Sequence, residues 1–165
     1  LASHVAKGKL QATSDMSRLD EPDVILICVP TPTTEKSKPN LIHLSKAIEN
    51  IAMQLRQGQL ICLESTSYPG TTSDMLLPGF QTPNLEVGID FFLGFSPERE
   101  DPGNSRFHIT AIPKIVSGVT NECLQIVTAL YSEVFDEVFP VSSTKTAECT
   151  KLIELFILKA VFYPT

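Results

Sequence analysis

The apolar positions of the chain change period several times, in an order that can be read. After Asp23, Val24-Ile25-Leu26-Ile27-Cys28-Val29 is an unbroken apolar run rich in β-branched residues and stopped by Pro30, the pattern of a strand buried on both faces in a parallel sheet. Leu41, Leu44, Ile48, Ile51 and Leu55 then recur at three- and four-residue intervals, which predicts one amphipathic helix with Gly58 as its stop. Gln59 to Ser65 reads as a second strand. After Tyr68-Pro69-Gly70, the stretch Thr71 to Leu77 opens a short helix with Thr71 or Thr72 as its cap. Phe91 to Phe95 and Pro113 to Gly118 read as a third and a fourth strand. Thr120 begins a helix whose stripe is Cys123, Ile126 or Val127, Leu130 and Val134. A short strand from Glu137 to Val141 leads through Ser142-Ser143-Thr144 into a last helix from about Thr144. Strands alternating with helices predict an α/β layered sheet with right-handed crossovers. In such folds ligands gather at the carboxyl ends of the strands, so the loops there carry the functional question.

Composition narrows the field. The chain has 165 residues, 42% of them hydrophobic, enough for one domain with a core. Its formal charge of −6 comes with no clustered basic run, which argues against nucleic acid or an anionic membrane surface as partner. The longest apolar runs are strand-sized, too short for a membrane span, and a soluble, cytoplasmic protein is expected. Cys28, Cys62, Cys123 and Cys149 lie far apart without CxxC spacing, so no metal site is expected and all four are read as reduced, buried small hydrophobes. His4, His43 and His108 are read as surface residues.

Three strand ends carry unusual polar strings. In Val29-Pro30-Thr31-Pro32-Thr33-Thr34 two prolines stiffen the turn and fix a Thr hydroxyl at the strand terminus; a plain Pro-rich loop accounts for it equally well. In Glu64-Ser65-Thr66-Ser67-Tyr68-Pro69-Gly70 clustered hydroxyls suit an anion or a water, or ordinary capping. Ser96-Pro97-Glu98-Arg99-Glu100-Asp101 offers a general base, or a solvated charged loop. Lys151 stands at the rim of a nearly all-apolar helix, as a functional cation or a snorkelling one. No two of the eight glycines are two residues apart, so the GxGxxG turn of a dinucleotide-binding fold is not in this stretch.

In this order and spacing, DVILICVPTP, LICLESTSYPGTTSDMLLP, FFLGFSPEREDPGN, IPKIVSGVT and VFPVSSTKTAECTKLIE resemble the UDP-glucose/GDP-mannose dehydrogenase family, most closely its branch acting on UDP-N-acetylglucosamine. The resemblance implies an incomplete Rossmann-like, mostly parallel sheet with flanking helices, plus the start of a long connecting helix. Residues 1–143 would be the later part of an NAD-binding domain and 144–165 the start of a connecting helix that also pairs subunits. It implies NAD as cofactor, a UDP-sugar as substrate, two successive oxidations at the sugar 6-position for polysaccharide synthesis, and a homo-oligomer formed through the C-terminal helix. Thr31 and Thr66 would lie against NAD, with Thr66 also holding a catalytic water. Glu98 would assist hydrolysis of a thioester intermediate, Arg99 and Glu100 would border the UDP-sugar, and Lys151 would stabilise the alkoxide-like oxygen and touch substrate. The match departs after Glu154, where the family's Asn position holds Leu155 and the basic residue falls at Lys159. An excised slice of a larger enzyme or an interrupted reading frame accounts for this, and in either case the stretch by itself is expected not to turn over. A non-catalytic remnant that pairs through its apolar helix is the alternative.

Overall fold

A computed structural model describes residues 1–32, 39–98, 110 and 112–162, with 154–162 described as backbone only. A short α1 (Ala2–Ala6) and a 3-10 turn (Met16–Asp20) lead into β1 (Val24–Ile27), α2 (Ile42–Gln54) and β2 (Leu60–Leu63). A π-turn (Thr72–Leu76) runs directly into α3 (Leu77–Phe80). Then come β3 (Phe92–Phe95), β4 (Lys114–Gly118), α4 (Asn121–Ser132), β5 (Val138–Pro140) and α5 (Thr144–Phe162). The five strands form one sheet in the order β1-β2-β3-β4-β5. β1, β2 and β3 are parallel, β4 runs antiparallel to β3, and β5 is parallel to β4. The mostly parallel α/β sheet expected from the alternating pattern is therefore what forms.

Each face of the sheet has its own core. On one face Leu44, Ile48 and Ile51 of α2 pack with Ile25, Ile27, Ile61, Leu63, Phe80 and Phe91, so the five-residue stripe read for this helix is its buried side, with Leu41 and Leu55 partly buried at its ends. On the other face Leu60, Cys62 and Val116 meet Val127 and Tyr131 of α4. Close approach here depends on glycine. A Cβ at Gly118 would lie 2.2 Å from the Leu124 amide nitrogen, so α4 can press its first turn against the end of β4 only if that position has no side chain.

Four readings are corrected. The first strand is not buried on both faces: it is the sheet edge, Leu26 is 45% exposed, and a groove of about 280 Å³ lined by Met16, Leu19, Leu26 and Ala47 runs beside it. Of the α4 stripe, Cys123 and Val127 are buried with Tyr131, and Leu130 packs partly buried against them, while Ile126 is exposed and Val134 is exposed beyond the end of the helix. Cys62 and Cys123 are buried, but Cys28, just past the end of edge strand β1, is exposed and Cys149, on α5, is half-buried. Finally, neither Thr71 nor Thr72 caps its own helix; the Thr71 hydroxyl donates instead to the Tyr68 carbonyl, and the capping acceptor comes from α5.

Candidate functional site

The carboxyl ends of β1 and β2 are stapled together by short side chains. Ser65 Oγ accepts from the Val29 amide at 2.7 Å and lies 2.8 Å from the Val29 carbonyl. Thr31 Oγ1 donates to the Thr66 carbonyl at 2.7 Å. Two prolines keep the first loop extended, so its hydroxyl meets the second loop instead of folding back. Two of the threonines singled out from the sequence thus sit side by side at the strand ends. Next to them, the Ser67 hydroxyl is buried with no hydrogen-bond partner among the described residues, a polar atom that a bound group or water would satisfy.

A charged cluster lies beside this staple, on the α4 face. Lys114, at the first position of β4, is 3% exposed at its side chain and pairs with Glu64 at 3.2 Å. Its ammonium also lies 3.6 Å from Glu98 Oε2 and stands 5.0 Å and 5.3 Å from the ring centres of Tyr131 and Phe135. Glu64 is further held by the Tyr131 hydroxyl, which donates to Oε1 at 2.5 Å, and by the Cys28 thiol at 3.3 Å. Burial comes first in keeping both donors protonated. With the hydrogen bond to Glu64 and its charge it pushes the Cys28 thiol up to about 11. The Tyr131 hydroxyl is driven well above the ordinary phenol range by burial, then by Cys62 and Glu64. At Cys62 burial comes first and, with the Glu64 charge, outweighs a Tyr131 hydrogen bond that acts the other way, pushing that thiol up to about 12. Glu64 therefore accepts from three donors and stays fixed.

The third component comes from α5. Glu148, 1% exposed, accepts from the Gly70 amide, from the Thr72 amide at 2.8 Å and from the Thr72 hydroxyl at 2.7 Å. A carboxylate there meets the unsatisfied amides of a helix start. Lys151, half-buried, follows three positions later on the same helix, so the lysine-bearing helix is tied to the loop that carries Thr66. Glu98 joins the cluster through Lys114; Arg99 and Glu100 lie outside the described residues. Sequence reasoning passed over Glu64, Lys114, Tyr131 and Glu148. The period-two signal for Lys114 was available, since it shares a strand face with buried Val116.

Comparison with known proteins decides the family. Residues 1–135 match the profile of the UDP-glucose/GDP-mannose dehydrogenase family, NAD binding domain. The chain belongs to this family. It is 37% identical over 149 residues to the UDP-N-acetyl-D-glucosamine 6-dehydrogenase of Pseudomonas aeruginosa, covering 89% of this chain and 35% of that protein. It is 40% identical over 147 residues to Protein CapL of Staphylococcus aureus, covering 88% and 35%. Among solved structures it resembles the UDP-D-ManNAc dehydrogenase of Pyrococcus horikoshii, with a TM-score of 0.82 at 32% identity over 92% of this chain and 36% of that one. The NDP-N-acetyl-D-galactosaminuronic acid dehydrogenase of Methanosarcina mazei Go1 gives 0.80 at 34% over 91% and 32%. The chain spans about a third of the length of the curated relatives it matches. NAD is the cofactor of the matched domain, and the paired threonine loops with the unpartnered Ser67 hydroxyl fit a polar ligand lying across the strand ends. Among the described residues no three His, Cys, Asp or Glu side chains gather as metal ligands, and no helix is long and apolar enough to cross a membrane.

Proposed function

We propose that this chain supplies part of the NAD-binding domain of an enzyme that oxidises a UDP-linked N-acetylamino sugar twice at its 6-position, giving the uronic acid used in polysaccharide synthesis. The observation that carries the reading is the match of residues 1–135 to an NAD-binding domain, joined with relatives named UDP-N-acetyl-D-glucosamine 6-dehydrogenase at 37% and 33% identity. When bound, NAD takes up hydride from the sugar carbon. Thr31 and Thr66 hold the cofactor side of the site, and the Thr66 hydroxyl also positions a water. Glu98 accepts a proton from that water as it attacks the acyl carbon of the thioester intermediate, the new C–O bond forming while the C–S bond breaks and the thiolate leaves. The Lys151 ammonium stabilises the negative oxygen that develops at the reacting carbon, and Arg99 and Glu100 border the nucleotide sugar. Residues 1–143 form the later part of the cofactor-binding domain, and a connecting helix starts at Thr144.

The test uses the full-length gene product with UDP-N-acetylglucosamine and NAD. Two NADH per sugar consumed is the expected stoichiometry, and Lys151→Ala is expected to abolish turnover. One NADH per sugar would refute the double oxidation. Undiminished turnover in Lys151→Ala would refute the role given to that lysine.

A further inference from the structure

We infer that Lys114 is a positioning residue: from behind the sheet end, its buried ammonium holds the Glu98 carboxylate in its working orientation. The inference rests on the proposed role of Glu98. Lys114 is 3% exposed at its side chain, so it cannot itself reach a substrate and must act through another group.

The backbone explains why these two residues meet. β3 and β4 are antiparallel with Gly94 opposite Gly118 and Phe95 opposite Ser117. Continued outward, the same register sets Glu98 opposite Lys114, where side chains project to the same side of the sheet. The root of Glu98 is pinned. The Ser96 amide donates to the Leu63 carbonyl at 3.0 Å and the Ser96 hydroxyl to the Ile115 carbonyl at 2.8 Å, and Pro97, which follows, is buried. The Glu98 side chain is 46% exposed and meets the ammonium at 3.6 Å, by charge and beyond hydrogen-bond length.

The ammonium is itself held on several sides. Glu64 takes one of its donors at 3.2 Å, and the rings of Tyr131 and Phe135 stand over it. Glu64 is locked in turn by Tyr131 and Cys28. A cation fixed by one carboxylate and two aromatic faces presents its remaining field to the second carboxylate. Glu64 directly follows β2 and stands two positions before Thr66, so the same cation links the Thr66 loop and the Glu98 loop.

The experiment is a mutant cycle in the full-length enzyme, reading kcat and KM for NAD and for the UDP-sugar. Lys114→Met is expected to lower kcat by about tenfold to a hundredfold, the range expected for a misplaced group, and to leave both KM values within about twofold. Lys114→Arg, which keeps the charge, is expected to recover most of kcat. In a Glu98→Gln background Lys114→Met is expected to add no further loss, because its effect travels through Glu98. A purely structural lysine would give losses that multiply. Lys114→Met strands the buried Glu64 charge and can unfold the protein, so the double variant Lys114→Met with Glu64→Gln, which removes both charges, is measured beside it and is expected to show the same kcat loss. Unchanged kcat in the double variant, or multiplying losses in the Glu98→Gln background, overturns the inference. Full activity in Glu98→Gln alone overturns the underlying reading of Glu98 instead.

Discussion

Cys28 shows how far a residue's chemistry can depart from its position. The residue is exposed at the sheet edge, yet its sulfur is partly shielded and donates to Glu64; that partial desolvation, then the Glu64 hydrogen bond and charge, push the thiol up to about 11. At pH 8 its thiolate fraction is on the order of 0.1%, and after allowing for the greater nucleophilicity of a more basic thiolate, alkylation should run roughly tenfold slower than for an ordinary cysteine. Timed iodoacetamide labelling mapped by mass spectrometry checks this; a rate equal to that of a short cysteine peptide would refute it. The same shifts fix the sign of the alkaline response. The folded state holds protons on Cys28 and Cys62 that the unfolded chain gives up near the ordinary thiol range. Their contribution to stability is therefore complete below that range and is lost as the pH rises through about 9 to 12. The sequence placed all four cysteines in apolar segments correctly, but it could not distinguish an edge strand from a central one. Lys114 was missed for a similar reason: its partner Glu64 is 50 residues away, and a lysine at a strand start is ordinarily solvated.

At the level of elements, α2, β2 and β3 were legible because their apolar periods are long and their partners are the sheet itself. The turn after Tyr68-Pro69-Gly70 was not. A Thr before a helix is a good local cap, but the acceptor used is Glu148, supplied by α5. That choice is tertiary, and no local window contains it. Glu148→Ala leaves the Gly70 and Thr72 amides and the Thr72 hydroxyl buried without their acceptor, which should cost about 3 kcal/mol of stability. The shift of the urea midpoint against the parent protein measures it, and a shift equivalent to less than about 1 kcal/mol would show that water replaces the carboxylate. This contact ties the helix bearing Lys151 to the loop bearing Thr66, and two of the site residues proposed from the sequence depend on a residue that the sequence did not single out.

For the molecule as a whole, the ordered strings from DVILICVPTP to TAECTKLIE were enough to give family and fold, because they fall at successive strand ends of one sheet. The open side of β1 has a further consequence. A short apolar edge strand with Leu26 showing on one face, paired among the described residues with β2 alone, offers its outer backbone groups to any extended chain that passes. A polypeptide of these residues alone should therefore self-associate as its concentration is raised, seen as growth in light scattering. Leu26→Lys should suppress this growth, and a parent chain that stays monodisperse at high concentration would refute the idea. Conversely, a separately expressed peptide able to lie along β1 should keep the chain dispersed. That would make this edge a natural seam for two-fragment reconstitution, with assembly itself as the readout.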